Sequence, residues 1–376
     1  MASRTRVLVA PDKFKGSLSA AQVAQSISAG LRTVRPDLEV VTLPVADGGE
    51  GTLDAALASG FDRIEVTVSG PTGQPVRTAY GRRGSTAVVE MADACGLARL
   101  PQGELHGLTA SSRGLGEVLV AALDSGCTSL VIGIGGSAST DGGAGMMAAL
   151  GARLVDAHSA PLPDGGAALA DLARLDLSDL HPAVAGADVV VACDVDNPLT
   201  GPTGASRTYG PQKGLGLHDI STLDAALGRW ADQVATHTGL ELRDHPGAGA
   251  AGGVGFAALA LLGARLEPGI RLMLDLVGFE KRISGCALVI TGEGSLDEQS
   301  LHGKAPMGVA EAARIHGVPA IAVCGRRSLD EKSLTRIGIH ASYALTEIEP
   351  DPARCMREAS GLLQELGARI ARIHLS

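Results

Sequence analysis

Short apolar runs that break at once into glycine, aspartate, asparagine or serine recur along this chain, at residues 7–10, 40–43, 130–134, 189–192, 287–290 and 320–323. A run of that length bounded by turn residues reads as a buried strand. Amphipathic patterns lie between many of the runs, as at 19–31 and 114–123. Strands that alternate with helices argue for βαβ units around a parallel sheet, so the expected fold class is α/β. Sheets of that kind place their ligands at the polar loops beyond the strands.

Two regions depart from the alternation. Residues 64–89 read as short strands separated by Gly-Pro and Gly-Arg-Arg-Gly with no helix between them, the pattern of an antiparallel sheet. A second domain is therefore expected to begin near Phe61. Residues 157–186, rich in Pro, Gly and Asp, read as an irregular excursion. A length of 376 residues, 45% of them hydrophobic, exceeds what one compact unit normally needs, and two domains are expected.

Aromatic residues make up only 2% of the chain while glycine reaches 51. The core must then be built from Ala, Val, Leu and Ile with close backbone packing. A net charge of −9 argues against nucleic acid or an anionic membrane as the main partner, because phosphate backbones are held by an excess of Lys and Arg. Six scattered cysteines show neither a Cys-x-x-Cys pair nor a partnered histidine spacing, so free thiols in a reducing cytoplasm are expected. The apolar run at 7–10 is too short for a signal-peptide core. Residues 246–264 lack charge but consist mostly of Gly and Ala, which reads as a loop entering a buried helix.

The clearest loop follows the run at 130–134, in Gly133-Ile-Gly-Gly-Ser-Ala-Ser-Thr-Asp-Gly-Gly-Ala-Gly145. Glycines let backbone N–H groups turn toward an anion, and the helix expected at 146–150 would add its dipole. Gly133, Gly135 and Ala138 also satisfy the dinucleotide pattern, with Asp156 about twenty residues on, which leaves an NAD-dependent dehydrogenase open. The hydroxyls and carboxylate from Ser137 to Asp141 suit phosphates and a metal better. An echo, Leu-Gly-Ala-Arg-Leu closing both 143–154 and 253–266, is compatible with two loops flanking one ligand or with close helix packing alone.

Three further turns carry carboxylates after strands: Asp47 and Glu50; Asp194, Asp196 and Asn197; Glu293 and Asp297. Any one would serve as a cap or turn residue. Three together supply the hard oxygens that a magnesium–phosphate complex takes. Lys13, Lys15, Lys213 and Lys304 stand in glycine- or proline-containing loops, where cations steady phosphoryl groups. His302 reads as a structural group or as support for a residue that touches the ligand, and Arg326 and Arg327 either meet a substrate carboxylate or point to water. Neither a Walker loop nor a Gly-x-Ser-x-Gly elbow is present. A non-catalytic nucleotide-binding regulator would need less chemistry than these loops carry.

Taken together the motifs resemble the bacterial-type glycerate kinases that form 2-phosphoglycerate. The resemblance rests on Ala10-Pro-Asp-Lys-Phe-Lys-Gly-Ser-Leu-Ser19, Ala46-Asp-Gly-Gly-Glu-Gly-Thr52, the loop at 132–145, Cys193-Asp-Val-Asp-Asn-Pro-Leu199, Gly210-Pro-Gln-Lys-Gly214, and Ile290-Thr-Gly-Glu-Gly-Ser-Leu-Asp297 with Gly303-Lys-Ala-Pro306. It covers nearly the whole chain. It implies two α/β domains, one Rossmann-like with a parallel sheet and one with a mixed sheet, and an active site in the cleft between them. Residues 1–60 with 287–376 would form the first and 61–286 the second. It further implies use of ATP and Mg²⁺ to phosphorylate D-glycerate. Charge, cysteines and the short first apolar run separately lead to the expectation of a cytoplasmic protein, monomer or homodimer, with no nucleic-acid or membrane partner.

On that resemblance Asp194 is the expected base and Lys15 holds the substrate carboxylate or γ-phosphate. Asp47, Gly48, Gly49, Glu50, Asp196, Asn197 and Lys213 are expected at the substrate. Gly135, Gly136, Ser137, Asp141 and Lys304 are expected at the nucleotide, and Glu293 and Asp297 at the metal. Family members often carry Asp-Ser-Phe-Lys and Thr-Asn-Asp-Gly-Gly where this chain has Asp12-Lys13-Phe14-Lys15 and Ser139-Thr-Asp-Gly-Gly143, so Lys15 and Asp141 are favoured over Lys13, Ser139 and Thr140. The 2-hydroxyl is the expected acceptor, with the 3-hydroxyl as the alternative.

Overall fold

The computed structural model describes residues 5–301 and 303–375. Thirteen strands are assigned among them. The first five are β1 (Arg6–Pro11), β2 (Glu39–Thr42), β3 (Asp62–Ser69), β4 (Pro75–Arg83) and β5 (Thr86–Glu90). Five more follow: β6 (Ser129–Gly133), β7 (Arg153–Val155), β8 (Arg174–Asp176), β9 (Asp188–Ala192) and β10 (Arg265–Glu267). The last three are β11 (Cys286–Leu296), β12 (Ala320–Arg327) and β13 (Ile339–Ala344).

The chain divides into two compact units, one comprising Met1–Asp47, Asp54–Gly60 and Pro268–Ser376, the other Gly48–Leu53 and Phe61–Glu267. One crossing between the units falls at Phe61, where the antiparallel strands begin. The later crossing comes at Pro268 rather than at Ala287, and Gly48–Leu53 goes with the second unit. The reason for the former is packing: Ile270, Met273, Leu274, Phe279 and Ile283 bury their side chains in the first unit's core.

In the first unit the sheet order is β13-β12-β11-β1-β2, all parallel. Side chains alternate across it as the strand period requires. Leu8, Val289, Ala322 and Cys324 face a core shared with helices Gly269–Leu276 and Ala305–Ile315. Val7, Val9, Ile290 and Val323 face the opposite core, shared with helices Ala20–Val34 and Ala359–His374. Burial on both faces explains why these strands read as continuous apolar runs.

The second unit's main sheet runs β10-β9-β6-β5-β4-β3. The β3–β4 and β4–β5 pairs are antiparallel and the rest parallel, so the helix-free segment at 64–89 is the antiparallel half of a mixed sheet. The excursion at 157–186 contributes β8, paired with β7. The uncharged stretch forms the buried helix Ala250–Leu262. Trp230, fully buried, donates its indole N–H to the Gly142 carbonyl at 2.9 Å. Among the described residues no helix is long and apolar enough to cross a membrane, and all six cysteines are free.

With so few rings, helices approach through glycine. A Cβ at Gly30 would lie 1.9 Å from the Gln364 carbonyl oxygen, and one at Gly367 would lie 2.4 Å from that of Ile27. Gly30→Ala should therefore destabilise the protein by about 1–3 kcal/mol from overpacking, against a helix-propensity gain of roughly 1 kcal/mol. Thermal and urea unfolding check this, and an unchanged or raised stability would refute the close packing.

Candidate active site

At the carboxyl end of the first unit's sheet, β1 delivers Asp12, whose N–H donates to the Gly292 carbonyl at 2.8 Å. Its carboxylate accepts from the Lys13 N–H at 2.6 Å. Burial, reinforced by the negative fields of Asp47 and Glu293, pushes Asp12 up to about 8 against the pull of Lys13. Sequence reading placed Asp12 in a motif without assigning it to the site. Its strongest signal is its position directly after a buried strand.

Glu293, on β11, is buried, and burial raises it while Asp297 and Asp47 add to the rise and Ser300 and Lys304 oppose it. Its Oε1 is buried without a hydrogen-bond partner, and Oε2 stands 4.0 Å from Lys304 Nζ. Lys304 also caps the helix Ala305–Ile315, its carbonyl accepting from the N–H groups of Met307 and Gly308 at 3.1 Å. Asp297 accepts from Ser295 Oγ at 3.0 Å, and Arg326 Nε donates to that same hydroxyl oxygen at 3.0 Å. Arg327 is taken up by Ser342 and Glu347. Lys15 is exposed on a turn closed by Phe14 and Leu18. Asp12, Asp47, Glu293 and Asp297 thus gather with Lys304 at one sheet edge. His302 lies outside the described residues.

In the second unit two of the glycine motifs meet. A Cβ at Gly133 would lie 2.6 Å from the Gly48 carbonyl oxygen, and one at Gly135 would lie 2.7 Å from Gly49 Cα. One at Gly136, where φ is +73°, would lie 3.7 Å from Glu50 Oε1. Glycine is required here because backbone lies directly on backbone. The turn is fixed in turn by Glu90 at the end of β5, whose Oε2 accepts from the N–H groups of Gly51 and Leu53 at 3.1 and 3.0 Å.

Three expectations change in this unit. Asp141, expected at the nucleotide, is fully buried, with its carboxylate accepting from Ser112 N and Oγ (2.8 Å each) and from the N–H groups of Gly143 and Gly145 (3.2 Å each). Burial pushes its acid strength down against those four donors. It anchors the start of helix Ala144–Ala149, leaving no exposed oxygen for a ligand. Lys213, expected at the substrate, is 1% exposed beneath the loop. Asn197 spends its side chain on the local fold, donating to the Thr203 carbonyl at 2.8 Å and accepting from Tyr209 OH at 2.6 Å.

Asp194 and Asp196 are exposed beyond β9, whose last residue, Ala192, pairs with Gly133 of β6. The loops carrying Asp194 and Gly135 therefore leave neighbouring parallel strands at the same end, the place where such sheets bind ligands. The sequence echo resolves as packing: a Cβ at Gly253 would meet Gly142 Cα at 2.7 Å, and one at Gly143 would meet Ala257 Cβ at 2.6 Å.

Comparison with known proteins identifies an α/β phosphotransferase. Residues 7–375 match the model of the glycerate kinase family, and the chain belongs to that family. It is 46% identical over 343 residues to a glycerate kinase of Bacillus subtilis and 45% identical over 344 residues to the glycerate 2-kinase of Escherichia coli, each match covering 90% of both chains. A crystal structure from Salmonella typhimurium LT2, described as a glycerate kinase 2, superposes with a TM-score of 0.87 at 40% identity, covering 98% of each chain.

Asp141→Asn would turn amide hydrogens toward donors already aimed at the carboxylate. A loss of about 1.5–3 kcal/mol or more is expected, visible as a lower Tm with or without nucleotide. A variant of wild-type stability with weakened nucleotide binding would instead assign Asp141 to the ligand.

Proposed function

We propose that this protein transfers the γ-phosphoryl group of ATP to the 2-hydroxyl of D-glycerate, giving 2-phosphoglycerate and ADP, and that it does so in the cytoplasm. Support comes from the family membership and from the relative named as a glycerate 2-kinase. The structural observation that carries the reading is the seating of the Gly48–Glu50 turn on the Gly133–Ser137 loop. It joins a flexible-backbone cradle to an acidic turn at the carboxyl end of a sheet.

The residues divide the work by chemistry. In the second unit, backbone N–H groups from Gly135 to Ser137 are suited to phosphate oxygens. Asp194, exposed beside them in strand order, is suited to orient the acceptor hydroxyl and take its proton, with Asp196 near it and Glu50 holding a glycerate hydroxyl. In the first unit, Lys15 supplies a point charge for the glycerate carboxylate or the transferring phosphoryl group, and Lys304 one for the nucleotide phosphates. Asp47 supports a glycerate hydroxyl or the metal's water shell.

The acidic edge of the first unit fits Mg²⁺ in a particular way. Among the described residues no three acidic, histidine or cysteine side chains converge as a self-sufficient metal cage. Glu293 nevertheless keeps a buried oxygen without a partner, and Asp297 is nearby in its electrostatic field. One or two carboxylates completed by substrate phosphates is how Mg²⁺ is usually held. When bound there, the ion would neutralise charge on the phosphate oxygens. Glu293 and Asp297 would hold it, and Ser295 with Arg326 would fix the Asp297 carboxylate.

Steady-state kinetics on variants test these roles. Asp194→Asn should lower kcat by about 10²-fold or more with ATP affinity nearly unchanged, the size expected for a lost general base. A wild-type kcat would remove Asp194 from that role. Glu293→Gln should raise the Mg²⁺ concentration needed for half-maximal rate, and an unaltered Mg²⁺ dependence would exclude it as a ligand.

A further inference from the structure

Lys213 is a long cation buried in the second unit, and burying an ammonium is costly unless its donors are matched. Its Nζ donates to Ser137 Oγ at 2.9 Å and to the Ser139 carbonyl oxygen. Both acceptors belong to the glycine loop. The lysine comes from a short turn after Pro211, capped by Gly214 at φ +89°. Its ammonium is buried, so it holds the loop from the interior of the unit.

We propose that Lys213 is a positioning residue that locks the Ser137–Ser139 limb of the loop and aims the Ser137 hydroxyl proton outward, as a donor to a nucleotide phosphate. The inference rests on the reading of that loop as a phosphate site. A serine hydroxyl has one proton and two lone pairs. With an ammonium donor occupying a lone pair, its own proton must point elsewhere. The positive charge behind the loop adds to the attraction for an anion in a region where burial weakens screening.

The groups acting on Lys213 are Asp141, from the same loop, and Cys95, at the end of helix Met91–Cys95. Burial pushes the Cys95 thiol up to about 12, so it is neutral in the working range. Burial lowers Lys213 from 10.5 to about 8, with Asp141 opposing the fall. The sign follows directly. In the folded protein the charge is lost as pH rises through about 8, while an unfolded chain keeps it to 10.5. Between those values deprotonation relieves the penalty of burying the charge, so folding stability does not fall on this residue's account. Nucleotide engagement should fall over the range in which this contribution to stability grows.

Nucleotide KM, kcat and Tm of the wild type, Lys213→Met, Lys213→Arg and Ser137→Ala, measured from about pH 7 to 9.5, test the proposal. The wild type should show a rise in nucleotide KM with an inflexion near pH 8 and no matching loss of Tm. Lys213→Met should raise nucleotide KM at pH 7 by about tenfold, the worth of one charge-assisted hydrogen bond, and remove the inflexion. Lys213→Arg, which stays charged, should shift the inflexion out of range. A flat wild-type profile overturns the proposal even if Lys213→Met does not fold. Ser137→Ala separates the two claims: raised KM there with a normal KM in Lys213→Met defeats the inference alone. Normal KM in both defeats the phosphate reading of the loop as well.

Discussion

Backbone lying directly on backbone is the constraint from which the second unit's site follows. The Gly48–Gly49 backbone fits against the end of β6 only because Gly133 and Gly135 carry no side chain. The contact brings the Gly48–Glu50 turn to the end of β6. Glu90, one strand over, then fixes that turn through two backbone N–H groups. The same economy runs through the first unit, where Gly30 and Gly367 let helices Ala20–Val34 and Ala359–His374 approach with almost no ring to fill a gap. A composition with 51 glycines and 2% aromatics is what such packing looks like in sequence.

Fixed loops have a polar cost, and the second unit meets it from below. Asp141 is buried at the start of helix Ala144–Ala149 and is matched by three backbone N–H donors and the Ser112 hydroxyl. Lys213 is buried on the same loop and is matched by Ser137 and Ser139. Each charge lies in the other's field, so neither is stranded in the low-dielectric interior. The first unit keeps its tension instead: Asp12 and Glu293 are buried together, each raised by burial and by its acidic neighbours. Carboxylates crowded in this way are relieved by a cation, which is the electrostatic ground of the Mg²⁺ site we propose at this edge.

Much of this was legible before any coordinates. The six apolar runs are β1, β2, β6, β9, β11 and β12: five of them are largely buried on both faces and so show no polar alternation, while β2 stands at a sheet edge and is partly exposed. Four strands escaped the reading. β7, β8 and β10 are three residues long each, and β13, at the sheet edge, reads Ile-His-Ala-Ser-Tyr-Ala with only part of it buried. The glycine motifs were visible as loops, but their contact with one another was not, since Gly48 and Gly133 are far apart in sequence. Asp12 gained its place from the convergence of strand ends, a tertiary fact. For Lys213 the hidden fact is a different one: Gly-Pro-Gln-Lys-Gly describes a turn, and nothing in it reveals that the lysine side chain runs inward while Pro211, Gln212 and Gly214 stay exposed. The partners of Asn197, Thr203 and Tyr209, belong to the next turn and helix and were likewise not legible.

Phosphoryl transfer to the 2-hydroxyl of glycerate is the reaction we propose for these loops. Phosphorus NMR of the product made from D-glycerate and ATP tests it most directly, because a phosphate on C2 couples to one carbon-bound proton and a phosphate on C3 couples to two. An Mg²⁺- and ATP-dependent doublet from 2-phosphoglycerate is expected. A triplet from the 3-phosphate, or no phosphorylated glycerate at all, would contradict it.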